Sequence, residues 1–429
     1  MKKLRDNVYL SYVILSSGMA TAFYRSIYNT LLLFILSAIF LFIYERKLSK
    51  NYLVACLLWF IYITFSLVKY QGENYFWPFL YFVNFTIVYA LIKHYGDSMF
   101  YKAENIIFFL CCVSLVFFSW QLINFNSILG YWKAFDLSGN FIDTKNLHYY
   151  HSFFYTIIQF VYLQDGSLPR NAGFCWEPGP FSCFIAIGIF CLMIKNNFNL
   201  KQSLPRLTIY VVALLTTQST TGILAFLVLI IWYLNNRYKI KYIKVLGFPI
   251  IITIFVLLYF NVSFLGKKID SQFNSNLYEM AMQSSNSEYG TNLDRFNSLK
   301  VTFIEFIDNP LIGIGADPDA RWAAKNNINV NPTSGIGNIL AVYGLFGIIP
   351  FFVLLYKSSN RFTSLFEYEG KWYFLMIIVI FGFSFNIIET PFFLALIMFS
   401  YFFMTQSGVN LKISKQIKDF DDRDRIHNI

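Results

Sequence analysis

The chain has 429 residues, of which 56% are hydrophobic, 21% aromatic and only 14% charged. Soluble domains carry about 25% charged residues, so the composition excludes an ordinary soluble enzyme. The formal net charge of +10 does not point to nucleic acid, because cations in short loops between apolar runs set orientation in a membrane.

The apolar runs are close to the ~20 residues of a membrane-spanning helix. They are continuous and do not alternate as barrel strands would. The expected fold is an all-α polytopic membrane protein, one integral domain over 1–429. Twelve spans are predicted: 8–24, 27–44, 51–69, 75–93, 105–125, 179–195, 206–217, 221–234, 242–265, 336–356, 371–388 and 390–405. The pair 206–217 and 221–234 is short, and reads as one kinked helix or as two pieces meeting at the polar break Thr217–Gly222. With the N-terminus inside, every inward segment is basic, from Lys2, Lys3 and Arg5 to Lys412, Lys415 and Lys418. That regularity predicts two cytoplasmic termini in a cytoplasmic membrane, with 406–429 as a cytoplasmic tail. Met1–Asn7 leads straight into the spans without a cleavable signal pattern.

Two outward loops, 126–178 and 266–335, exceed the ~12–15 residues beyond which a structureless loop is uncommon. Short helices are expected at Tyr149–Leu163 and Leu293–Ile307. The second would place Phe296, Leu299, Phe303 and Ile307 on one face. Five of the six cysteines fall in apolar runs, and none has metal or disulfide-framework spacing. His148 and His151 share one possible helical face, but no further ligands stand at zinc spacing. No metal and no cofactor is expected.

Three polar clusters gather at the outward edge. In the first, Arg170 and Glu177 precede a span, with Gly173, Pro178 and Gly179 between and beside them. An Arg there can hold a phosphate through two donors, and a carboxylate can take a proton from a hydroxyl; the two could equally pair with each other. In the second, Arg295 is followed by Asn309-Pro-Leu-Ile-Gly313-Ile-Gly315, with Arg321 and Lys325 beyond. Its glycines would let backbone amides reach a ligand. The third runs Asn331-Pro-Thr333-Ser334-Gly-Ile-Gly-Asn338, level with Ser219, Thr220 and Thr221. Hydroxyls in such places touch a substrate or cap helices.

In this order the motifs resemble the bacterial O-antigen polymerase and ligase superfamily. Arg170-x-x-Gly-x-x-x-Glu-Pro-Gly179 is similar to the family's Arg…Gly…Glu-Pro element. Gln218–Gly222 is similar to its Ser-x-Thr-Gly segment. Arg295…Asn309–Gly315 resembles the Arg…Asn-Pro-x-x-Gly-x-Gly pattern of the large outer loop, and Gly344-Leu-Phe-Gly347 the Gly-Leu-x-Gly signature after it. The likeness covers about 165–356. It implies polymerisation of polyprenyl-diphosphate-linked oligosaccharide repeat units into O-antigen or capsule, at the outer face of the membrane. A flippase and a chain-length regulator are implied partners. Arg170 and Arg295, then Arg321, are the implied diphosphate contacts, and Glu177 the base or acceptor-orienting group. Gly173, Ser219, Thr221, Asn309, Gly313, Gly315, Thr333 and Ser334 would line the substrate. Ligases of this superfamily usually carry a His about eleven residues before the first of those glycines; Thr333-Ser334 stand there. That favours polymerase over ligase. A flippase or other transporter is the alternative of another class. Its charges would lie mid-membrane, whereas here Glu389, in a tight outer hairpin with Thr390-Pro391, is the main exception in nearly charge-free spans.

Overall fold

The computed structural model describes residues 2–19, 26–44, 48–70, 76–137, 147–160 except 153, 169–239, scattered positions in 249–270, and 291–403 except 316, 317, 327 and 329. The expected span 242–265, most of loop residues 266–290 and the tail 406–429 lie outside the described residues.

The helices follow the apolar runs. They are α1 (Lys2–Gly18), α2 (Ile27–Tyr44), α3 (Lys50–Tyr70), α4 (Phe76–Tyr95), α5 (Ser98–Ile123) and α6 (Phe125–Ala134). After a hairpin come α7 (Pro178–Lys195), α8 (Leu200–Thr217) and α9 (Thr220–Tyr238). Then follow α10 (Arg295–Asp308), the short α11 (Trp322–Lys325), α12 (Gly335–Leu365), α13 (Lys371–Ser384), α14 (Pro391–Ile397) and α15 (Phe399–Phe402). Among the described residues, five helices are long and apolar enough to cross a membrane: α3, α5, α7, α9 and α12. The chain is thus a predominantly helical, multi-pass membrane protein.

The helix at the centre is α7. Pro178 sits in its first turn, where its missing N–H costs nothing. Every residue from Pro178 to Ile194 is buried, as expected for a helix that is apolar all round. It packs against α5, α8 and α9. Close approach uses small residues: a Cβ on Gly188 would lie 2.7 Å from the Tyr210 ring, and one on Gly222 2.6 Å from Ser182 Cβ. By contrast α2 and α3 expose Ile35, Phe42, Leu57, Phe60, Phe65 and Val68. Such an apolar face needs lipid or a partner against it.

The short pair resolves into two helices. Gln218 adopts a left-handed conformation (φ 48°) at the end of α8, and Ser219 caps α9 by accepting from Gly222 N. At the far end of α7 its last-turn Lys195 meets buried Glu104 of α5 at 2.7 Å, and Arg206 of α8 donates to the same carboxylate at 2.7 Å. Tyr210 OH donates to the Glu104 backbone carbonyl. One carboxylate therefore ties three helices at the end opposite Arg170.

Tyr149–Leu163 is not a helix. Leu147–His151 (β1) and Thr156–Phe160 (β2) form an antiparallel hairpin with His151 opposite Thr156. The run is rich in Tyr, Phe and Ile, which fit a pleated surface better than a helix. His148 and His151 therefore share no helical face. Tyr155 fixes the hairpin to the bundle: its carbonyl accepts from Trp132 Nε1 of α6, and its hydroxyl donates to Gln121 of α5. The second expected helix is present as α10, capped by Asp294, which accepts from Phe296 N and Asn297 N. Its apolar residues Phe296, Phe303 and Ile307 are exposed, while Asn297, Ser298, Val301, Thr302 and Glu305 are buried against the protein. A two-residue parallel pairing of Thr291–Asn292 (β3) with Val330–Asn331 (β4) closes this loop.

The conformation of α12 is broken at Gly344 (φ 58°, ψ −148°). Segment 310–315 fills the gap. Ile314 N and Gly315 N donate to Ala341 O and Val342 O, and Leu345 N and Phe346 N donate to Pro310 O and Leu311 O. These are the helix's own missing i→i−4 bonds, exchanged with the loop. Both Gly313 (φ 68°) and Gly344 lie in the left-handed region, and a Cβ would meet Val342 backbone at 2.3 Å or Gly313 N at 2.6 Å. We expect Gly313→Ala and Gly344→Ala each to destabilise the protein by at least ~2 kcal/mol, read as a fall in thermal midpoint in detergent. Gly130→Ala in α6, where a Cβ meets nothing within 4 Å, should be neutral or stabilising by up to about 1 kcal/mol.

Candidate functional site

The first and second clusters meet. Glu177 stands at the N-cap position of α7 with extended backbone (φ −147°, ψ 159°) and makes no cap hydrogen bond. Its carboxylate instead lies 3.8 Å from Arg295 Nη2, at the first turn of α10. The Arg295 guanidinium lies over the Phe385 ring, 4.4 Å from its centroid. Desolvation pulls its pKa below the usual arginine value, and nearby Glu177 acts in the opposite sense. Both side chains are part-exposed, so a ligand can reach them. The pairing is loose enough for an anion to displace it, and Arg is suited to phosphate.

Arg170 is placed differently from the expectation. Its Nε donates to Thr217 O at 3.0 Å and its Nη2 to Gln218 O at 3.3 Å. Those carbonyls end α8, where a cation is favoured by the helix dipole and by unsatisfied acceptors. Neighbouring Asn171 reinforces the join, taking Thr216 O with its backbone and Thr216 Oγ1 and Ser114 Oγ with its side chain. Arg170 thus fixes the α8–α9 turn to the strand leading into α7.

The remaining charged groups form a chain of hydrogen bonds. Arg321 Nη1 contacts Glu305 Oε2 at 3.0 Å, and Arg321 Nη2 donates to Asn338 Oδ1 at 2.6 Å. Asn338 Nδ2 donates to Glu389 Oε1 at 2.8 Å. Glu305 is 2% exposed, and its other oxygen accepts from Trp322 N. Glu389 ends the 3-10 turn Asn386–Glu389 between α13 and α14. Burial pushes its carboxyl up to about 8, which keeps it mostly protonated at neutral pH. Phe385 is the N-cap of that turn, so Arg295 and Glu389 stand at the two ends of one short segment.

Several expected substrate contacts have other partners. The amides of Gly313, Ile314 and Gly315 are bonded to Asn309 O, Ala341 O and Val342 O; they complete α12 and do not form an anion cradle. Gly173 is buried at φ 53°, with Phe181 where a Cβ would go and its amide on Asn171 Oδ1. Ser219 and Thr221 are buried: Ser219 caps α9 and accepts from Ser182 Oγ, and Thr221 donates to Ser384 Oγ. Ser334 caps α12 and donates to Gly382 O, while Thr333 bonds Ser298 and Leu293 O. Asn309 accepts from Lys69 Nζ at 2.9 Å. These residues bond within the protein.

Glu305 and the role of Glu389 are not evident in the sequence motifs, and Asn338 stands there only as the last residue of the third polar cluster. The available signal was Glu389 itself, a carboxylate beside otherwise apolar runs.

Residues 207–352 match the family model described as O-Antigen ligase. A protein of Klebsiella pneumoniae, described as an uncharacterized 49.5 kDa protein in cps region, is 26% identical over 250 residues. The match covers 53% of this chain and 56% of the relative, so the chain spans little more than half the length of that protein. No solved structure matches. The matched segment contains the α8–α9 turn, Arg295, Arg321, Asn338 and the Gly344 break. Together with the cps-region relative and the order of the motifs, it makes the chain similar to the O-antigen polymerase and ligase superfamily.

Proposed function

We propose that the chain is a membrane glycosyltransferase that polymerises polyprenyl-diphosphate-linked oligosaccharide repeat units into O-antigen or capsule at the outer face of the cytoplasmic membrane. The observation that carries this reading is that segment 385–389 has Arg295, paired with Glu177, over Phe385 at one end and Glu389, joined to Arg321 through Asn338, at the other. Transfer from a lipid diphosphate needs a cation where the leaving group gains charge, and a proton acceptor where a sugar hydroxyl attacks. In this reading Arg295 holds the diphosphate, Glu177 aims Arg295, and Arg170 supports both by fixing the α8–α9 turn. Glu389 takes the acceptor proton, because a carboxyl near 8 matches a general base working close to neutrality. The acceptor oxygen bonds to the anomeric carbon as its bond to phosphate breaks, and the electron pair leaves with the diphosphate.

Polymerase is favoured over ligase at the two positions where ligases of the superfamily carry their His. Thr333 is bonded to Ser298 and Leu293, and Ser334 caps α12. Neither is a base. The twelve spans, the two cytoplasmic termini, and a flippase and chain-length regulator as partners belong to the same proposal.

Three outcomes are expected. Arg295→Ala should lower polymer formation by about 10²–10³, the usual worth of a transition-state donor, at unchanged protein level. Cells carrying it should show single-repeat products on a gel; a normal ladder would remove Arg295 from the chemistry, and accumulated lipid-linked polymer would favour the ligase. The rate of the purified protein should rise as pH increases through about 8, as Glu389 loses its proton, and Glu389→Gln should be slow with no such limb. A Lys300→Cys variant, at an exposed position of α10, should react with an impermeant thiol reagent on intact cells; reaction only after permeabilisation would reverse the topology.

A further inference from the structure

Asn338 lies one turn into α12, which Ser334 caps and which passes Phe385 through Gly335. A guanidinium can only donate, so the amide oxygen of Asn338 must face Arg321 and its NH2 must face Glu389. The distances agree: Arg321 Nη2 to Oδ1 is 2.6 Å, and Nδ2 to Glu389 Oε1 is 2.8 Å. Arg321 is itself held by Glu305, a buried carboxylate whose two oxygens are both engaged. The hydrogen bonds therefore run in one direction, from a fixed cation outward to Glu389, and Asn338 is the link that can both accept and donate. Neither an acidic side chain nor a lysine could do this without changing the charge of the site. An Asp would accept from Arg321 but present a second carboxylate to Glu389; a Lys would donate to Glu389 but repel Arg321.

We propose that Asn338 is a positioning residue for the transfer reaction, holding the Glu389 carboxyl at a set distance and angle from Arg321. This rests on the glycosyl-transfer reading above. Asn338 touches neither donor nor acceptor in this role. It acts on the reaction through Glu389 Oε1, to which it donates.

Separating the two halves of the bridge tests it. Purified wild type and the variants Asn338→Ala, Asn338→Asp and Asn338→Gln are assayed for chain extension on a lipid-diphosphate-linked repeat unit, with kcat and KM measured separately and thermal midpoints recorded in detergent. Asn338→Ala and Asn338→Asp should each lose roughly 10- to 100-fold in kcat, the worth of one hydrogen bond to a charged group, with KM for the donor within about twofold. Asn338→Gln, which keeps both functions on a longer arm, should recover part of the loss. In a Glu389→Gln background, Asn338→Ala should cost almost nothing more, because residues acting through one another are not additive. Wild-type kcat in Asn338→Asp would overturn the proposal, as would full additivity with Glu389→Gln. A loss in KM alone would overturn it too. If Asn338→Ala does not fold, the Asp and Gln variants decide. No extension by wild type would instead sink the glycosyl-transfer reading, and the wild-type arm alone reports that.

Discussion

The placement of Arg295, and the close approach of α7 and α12 beside it, depend on Phe385. Gly179 in the first turn of α7 has no Cβ because that atom would lie 2.0 Å from the ring, and Gly335 at the start of α12 lies against the Phe385 carbonyl at a would-be 2.5 Å. Two helices thus close on one residue. Arg295 covers the ring's open face, a contact worth about 0.5–2 kcal/mol depending on desolvation. Ser384, beside it, is reached by Thr221, and Gly382 by Ser334. A cation placed this way is held by an aromatic face more than by its carboxylate partner at 3.8 Å.

The same constraint explains why the small polar residues are buried and the large charged ones are not. Backbone that must pass close to a ring, or fill a break in a helix, needs glycine and short hydroxyls. Gly313 and Gly344 serve the exchange of hydrogen bonds between segment 310–315 and α12, and Tyr62 OH locks the crossing by donating to Ile312 O and Val342 O. Ser219 and Ser334 cap the helices that start at the site. Two readings competed at each glycine: an amide offered to an anion, or an amide offered to the fold. Where a continuous helix would otherwise lose four hydrogen bonds in a membrane, the second prevails, because unsatisfied backbone is most costly there.

This also sets what was legible in the sequence. Span positions follow from hydropathy, and α2, α3 and α7 lie within a residue or a few of the predicted ranges. Arg170–Gly179 and Arg295 stood out because polar residues beside long apolar runs are rare. The hairpin at 147–160 was misread because apolar content was counted without its β-branched and aromatic character. The Arg321–Asn338–Glu389 chain was hidden for a different reason: its members are 17 and 51 residues apart, and no local period connects them. The inside-out character of α10 could not be read either. Its apolar stripe was visible, but periodicity gives a face and not the direction in which it points.

Group transfer from a lipid diphosphate asks opposite things of two ends of one cleft. One end must favour negative charge as the leaving group departs, and the other must accept a proton. Placed together in a medium of low dielectric, a cation and a base would neutralise each other. Here Arg295 pairs only loosely with Glu177, and Arg321 reaches Glu389 only through a neutral amide. That neutral amide stands between Arg321 and Glu389, and burial leaves the Glu389 carboxyl near 8. Direct contact with Arg321 would instead pull it down. The arrangement keeps a strong cation and a usable base within a few residues of one aromatic ring, a separation that a direct ion pair could not maintain.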